Sequence, residues 1–230
     1  MKIIFWTFLL LISAASASES LGRETKDFES NGIKSLEISN PKGEILVSFV
    51  KNSKKIRVIV EKMQFDPKCK LLIESELGIV KVRVEHENAL FDKANCVSKM
   101  KIEVPNKLIN IDVSSGTANV KLIDIDSKIV FKTATGLVEI NGELLKNVEG
   151  KTATGNMRIS YNNCPNRADI DLVTATGDAE ILLPSHCKIK VTHKSATGDL
   201  FNELGETEDF QVLINSKSAA GSLKIRKLAK

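Results

Sequence analysis

Aromatic residues are scarce in this chain of 230 residues, which holds one Trp, one Tyr and nine Phe. Trp6, Phe5 and Phe8 all fall within the first seventeen residues, so the remainder keeps no Trp, a single Tyr161 and seven Phe. Surfaces that stack bases or sugars need exposed rings, and this chain has few to offer. Histidine is as sparse: His86, His186 and His193 stand far apart. No two of the four cysteines have the C-x₂₋₄-C spacing of a zinc site, so neither a metal nor any other cofactor is expected. Long apolar runs are missing too. The longest, Ile3–Ile12, is about half the roughly 20 residues a membrane-spanning helix requires, so no transmembrane segment is expected. Blocks of one charge are absent, and the net charge of +4 is spread along the chain. Nucleic-acid binding, which wants clustered Lys and Arg, is not expected.

What is present begins with "MKIIFWTFLLLISAASA", residues 1–17, in which one Lys precedes the apolar run and Ala15-Ser16-Ala17 closes it. That is the grammar of a cleaved signal peptide, and export is the expectation: periplasmic, cell-surface or secreted. Loss of Lys2 lowers the net charge from +4 to +3. Residues 18–34 are polar and read as a flexible leader. Cys69, Cys96, Cys164 and Cys187 are even in number, and in an exported chain they read as two structural disulfides.

An internal repeat organises the rest. Gly116, Gly136, Gly155, Gly177, Gly198 and Gly221 are separated by 20, 19, 22, 21 and 23 residues. Seven residues before them stand Ile109, Ile129, Val148, Ile170, Val191 and Ile214, and two after them Ala118, Val138, Met157, Ala179, Leu200 and Leu223. Apolar and polar residues alternate around each Gly with the period of a half-buried strand. Each repeat is then a strand, a sharp structural corner at the Gly, and a second strand. One such coil cannot bury its own inward face, so copies must stack, about 4.8 Å apart, into a β-solenoid of about 21 residues per coil. The solenoid is expected over residues 105–230, continuous with less regular β coils or a cap over 35–104 as one domain. Stacking in chain order would leave the last coil, near "SLKIRKLAK", as an open edge guarded by its Lys and Arg.

Stacking also pairs the cysteines. Cys164 lies nine residues after Gly155 and Cys187 ten after Gly177. Neighbouring coils about 4.8 Å apart bring equal phases within disulfide reach, giving Cys164–Cys187 and, by elimination, Cys69–Cys96.

The segments "SLEISNPKGEILVSF", "KIRVIVEK" and "MKIEVPNKLINIDVSSGTANVKL", with the serial "TATG" corners, resemble a large bacterial family of exported adhesin-like β-solenoids that carry a domain of unknown function. The resemblance covers about residues 35–228. It implies a right-handed single-stranded β-helix, an envelope or extracellular location and a role in adhesion, and it brings no catalytic residues. This chain differs in using Thr-Ala-Thr-Gly where the family more often has Ser-Gly-Ser-Gly, and in its four cysteines.

Candidate chemistry is thin. Gly150-Lys151-Thr152 suggests a phosphate loop, but Leu145 occupies the position of the first required Gly, so the cradle is missing. Asp178 and Asp199 share a phase on coils consecutive in sequence and are the one acidic stacking with a case for a cation. No catalytic constellation is found, and the chain is expected not to be an enzyme. The small residue before each corner is expected to point inward, which sends hydroxyls outward in two files. One holds Thr133, Thr152, Thr174, Ser195 and Ser218, the other Ser115, Thr135, Thr154, Thr176 and Thr197. The expected molecule is a non-catalytic adhesion, binding or envelope-structural module whose partner is an envelope polymer or a protein. The alternatives are binding of ice or polysaccharide through the threonine files, or a solenoid carbohydrate-active enzyme.

Overall fold

Inward side chains of like position line up from strand to strand throughout this protein, whose computed structural model describes residues 21–86 and 95–228. The expected signal peptide lies outside the described residues. The described chain is all-β, without a helix, and its strands form one continuous, mostly parallel sheet that nearly closes on itself.

The strands are β1 (Gly22–Glu29), β2 (Ser35–Phe49), β3 (Lys55–Phe65), β4 (Cys69–Glu76), β5 (Ile79–His86), β6 (Cys96–Val104), β7 (Asn110–Ile123), β8 (Ile129–Thr133) and β9 (Leu137–Leu144). They continue with β10 (Val148–Thr152), β11 (Asn156–Asn163), β12 (Ala168–Thr176), β13 (Ala179–Leu183), β14 (Ile189–Ser195), β15 (Leu200–Asn202), β16 (Val212–Ala220) and β17 (Leu223–Lys227). β8 and β9 form one unit of strand, corner and strand; so do β10/β11, β12/β13, β14/β15 and β16/β17. β2 and β7 each run through a whole unit as a single strand.

Parallel register stacks the units. Leu36, Ile111, Ile129, Val148, Ile170, Ile214 and Val191 form one inward row across the first halves. Ile45, Val120, Val138, Met157, Ala179, Leu223 and Leu200 form another across the second halves. Apart from Leu200 in the outermost unit, these side chains are buried. Each β-branched or long apolar side chain removed from water contributes about 1.5–3 kcal/mol, so the rows supply the main cohesion of the stack.

The stacking order departs from the chain order expected from the repeat. β12/β13 pair not with β14/β15 but with β16/β17, and β14/β15 lie outside them. At the other end β5 and β6 lie outside β2, while β7 lies inside it. Both ends therefore carry a unit laid down out of sequence. The "SLKIRKLAK" strand is sandwiched between β13 and β15 and is not the edge. The edge at this end is β14 and β15, and the loop that follows them covers part of β14: Thr207 N donates to Ile189 O, and Glu206 Oε2 accepts from Val191 N. Satisfied edge groups of this kind discourage further strand addition.

At the N-terminal end β4 and β3 run antiparallel to β5 and β6, and β1 pairs along eight positions of β3. Residues 22–29, expected within a flexible leader, thus belong to the sheet. Cys69–Cys96 and Cys164–Cys187 are both bonded, each with Cα atoms 5.7 Å apart. The second pair joins the loops that follow neighbouring β11 and β13.

Candidate binding face

The corners decide what the outer surface presents. Gly136, Gly155, Gly177, Gly221 and Gly198 stack in one column, and each is pressed against the carbonyl of its neighbour. A Cβ added at Gly136 would lie 2.5 Å from Ala118 O, and one at Gly177 2.5 Å from Gly155 O, with the others closer still. Only a hydrogen fits there, which explains the invariant Gly of the motif. Gly116 is the exception. Ser115 is in register with Thr133, and Val120 with Val138, so Ala118 occupies the column position and Gly116 sits two residues early.

The residue two before each corner Gly does not point inward. Ala134, Ala153 and Ala175 are exposed, whereas Thr133, Thr152 and Thr174 are 6%, 7% and 5% accessible. The first expected hydroxyl file is therefore an interior ladder. Asn40, Ser115, Thr133, Thr152, Thr174, Ser218 and Ser195 follow one another in register, so Ser115, expected in the other file, belongs to this one because Gly116 sits two residues early. Thr152 Oγ1 lies 3.0 Å from Thr174 Oγ1 and 3.1 Å from Gly155 O, and the Thr174 hydroxyl donates to Thr176 O. Ser218 Oγ donates to Gly221 O and lies 2.9 Å from Ser195 Oγ, which accepts from Gly198 N. Buried hydroxyls must be bonded, and the corners supply carbonyls left over by the chain reversal. Thr133 Oγ1 alone in this ladder has no partner.

The second file stays outside. Thr135, Thr154 and Thr176 are exposed on successive units, Ala220 follows in register with Thr176, and exposed Thr197 stands beyond it. One file of hydroxyls remains where two were expected, interrupted by an alanine because the last two units are exchanged.

Beside the corners runs an open groove of about 790 Å³, floored by Pro41, Gly116, Ala134, Ala153 and Ala175 and flanked by Ser39, Ser114, Lys132, Lys151 and Val173. A second depression of about 470 Å³ continues it past Lys151 and Val173 to Lys217 and Lys194. The row Ser39, Ser114, Lys132, Lys151, Val173, Lys217 and Lys194 is in register throughout.

The remaining polar candidates are structural. Asp178 and Asp199 are not neighbours: Ser222 stands between them, its N–H donating to Asp178 Oδ1 and its Oγ accepting from Asp199 N. That backbone N–H and Lys224 hold the Asp178 carboxyl below its usual range. Asp126 Oδ1 accepts from Glu143 N and Leu144 N. Burial raises the Tyr161 hydroxyl well above its usual range, and its proton is directed at Ile125 O. His193 in β14 is depressed by burial, which outweighs the attraction of Asp199. Among the described residues no group of three or more His, Cys, Asp or Glu is placed to share a metal ion. No helix among them is long and apolar enough to cross a membrane.

No family model and no curated protein matches the chain. Solved structures do. A putative cell adhesion protein from Clostridium sporogenes is 14% identical with a TM-score of 0.55, the match covering 90% of this chain and 99% of that one. A putative adhesin from Bacteroides fragilis is 12% identical over 91% and 98% of the two chains, with a TM-score of 0.43. A putative lipid binding protein from Parabacteroides distasonis is 13% identical over 91% and 98%, with a TM-score of 0.34. Across nine-tenths of its length the chain shares the fold of the Clostridium protein, and the resemblance to adhesin-like proteins carried by its sequence is thereby present in its structure.

Proposed function

We propose that this protein is an exported, non-catalytic binding module of the cell envelope or extracellular space, acting in adhesion, and that its stack is a right-handed single-stranded β-helix. The observation that carries the proposal is the groove beside the corners, a surface continuous over several units and floored by small residues. Stacked repeats create such extended surfaces and use them for partners too long for a single pocket. The apolar run and small-residue site at the N-terminus, together with two disulfides, support an oxidising destination. The shared fold is in keeping with this reading.

The test has two parts. Fractionation of cells expressing the full chain is expected to recover a shortened, disulfide-bonded protein outside the cytoplasm. Purified protein is expected to sediment with envelope fractions of the source organism, and a groove variant, Ala153→Arg, is expected to sediment less. Cytoplasmic retention, or equal sedimentation by the variant, would overturn the proposal.

A further inference from the structure

The two outer faces of the stack treat charge in opposite ways. On the second-half face, opposite charges meet in register. Lys121 stands opposite Glu139, their side chains 3.4 Å apart, and Arg158 opposite Glu180, also at 3.4 Å. On the first-half face from β8 onward like charges meet, Glu149 opposite Asp171 in one row and lysines in the next. Lys132 is directly opposite Lys151, and Lys217 directly opposite Lys194. Like charges facing each other across strands destabilise a sheet, so this arrangement works against the fold. Lys151 has an ion pair with Glu149, whereas Lys132, Lys217 and Lys194 have none among the described residues. The residues two positions before these three are Val130, Asn215 and Thr192, all uncharged.

Val173, 40% exposed, separates the two lysine pairs within the row. At a strand spacing of about 4.8 Å, the pair centres are roughly 14 Å apart along the stacking axis. Both pairs border the depressions beside the corners.

We propose that this face binds a linear polyanionic glycan laid along the stacking axis, with anionic groups seated on the Lys132/Lys151 and Lys217/Lys194 pairs. The proposal rests on the binding-module reading above and names its partner. Ammonium pairs relieved of mutual repulsion by an anion gain more than isolated lysines would. Glu149, Asp171 and Asn215, in the adjoining row, offer acceptors to sugar hydroxyls, which a nucleic acid has in smaller number. The depressions lack aromatic side chains on which bases could stack, as single-strand binding requires. A lipid surface would want apolar side chains to insert, and only Val173 projects from this row.

Affinity electrophoresis through gels containing polygalacturonate, dextran sulfate or neutral dextran tests the proposal. Retardation by either polyanion but not by dextran is expected, and the one that retards names carboxylate or sulfate as the preferred group. Lys132→Gln/Lys151→Gln and Lys217→Gln/Lys194→Gln are each expected to weaken retention about tenfold or more, since each removes two charge-assisted contacts. The corresponding Arg variants should retain it. Lys121→Gln/Lys224→Gln removes equal charge from the other face and should leave retention unchanged. Equal weakening by all the Gln variants, no retention by either polyanion, or stronger lysine-dependent binding to duplex DNA or phosphatidylglycerol vesicles would overturn the proposal. If the protein sediments with envelope fractions yet ignores both polyanions, the glycan assignment falls and the binding-module reading stands.

Discussion

Thr174 stands in register with Ser218, forty-four residues further along the chain, and Ser195 lies on the far side of Ser218. The hydroxyl of Ser195 reaches Ser218 at 2.9 Å. Two units adjacent in sequence are thus separated by one that follows both.

This order is open to direct measurement. Thr176 and Ala220 are exposed and in register, so Thr176→Cys/Ala220→Cys is expected to form a disulfide under mild oxidation, paired positions being within reach. Thr176→Cys/Thr197→Cys is expected to remain reduced. The reverse result, read by peptide mapping, would restore stacking in chain order.

The interior hydroxyls make unequal contributions. Thr152→Val removes a hydroxyl that serves both Thr174 and Gly155 and should cost about 1 kcal/mol in a denaturant titration. Thr133→Val replaces a buried hydroxyl without a partner by a methyl group, and should be neutral or stabilising by a similar amount. Equal losses at the two positions would refute the assignment of the ladder.

Gly150, half of what looked like a phosphate loop, is a notch for a ring. It pairs in register with Phe131, and an added Cβ would meet ring carbons of the fully buried Phe131 at 2.7 and 2.8 Å, with Cζ closer still. Gly150→Ala should therefore destabilise by about 1–3 kcal/mol. Phe131→Leu in the same chain is expected to recover part of that loss, and additive losses measured for the pair would rule out the contact.

His193 ties stability to pH. Both ring nitrogens are buried without partners, and burial lowers its pKa from 6.5. The unfolded chain consequently takes up the proton first as pH falls. Stability attributable to this residue is complete above 6.5 and declines as pH drops below it toward the lower folded value. Thermal melting between about pH 8 and pH 5.5 should show a decline that His193→Asn reduces. Indistinguishable pH profiles for the two proteins would show that the histidine is not responsible.

The strands themselves were legible because period two is explicit at Val138 and Ile140, or at Ala179 and Ile181, and burial follows that pattern. The corner was not. Counting in steps of two forward from Ile129 makes Thr133 an inward residue, whereas counting back from Val138 makes Ala134 one. The parity changes within Thr-Ala-Thr-Gly, and a threonine, close to valine in shape, suits either side. Stacking order was hidden for a related reason. Every unit presents nearly the same edge, so the alternation that defines a strand cannot specify which unit becomes its neighbour. The lysine pairs illustrate the second point: Lys194 and Lys217 are 23 residues apart in the chain and meet face to face only in the folded stack.

The exchange of the last two units has a consequence in time. A chain made from its N-terminus completes β14 and β15 before β16 and β17 exist, yet β14 and β15 take their sheet partners only from those later strands. Domains acquire structure as their segments emerge, but here the outermost layer must wait, its hydrogen-bonding groups unclaimed, until the final strand arrives beneath it. A premature stop after Gln211 would accordingly strip away two layers of the stack, although it deletes the sequence of only one.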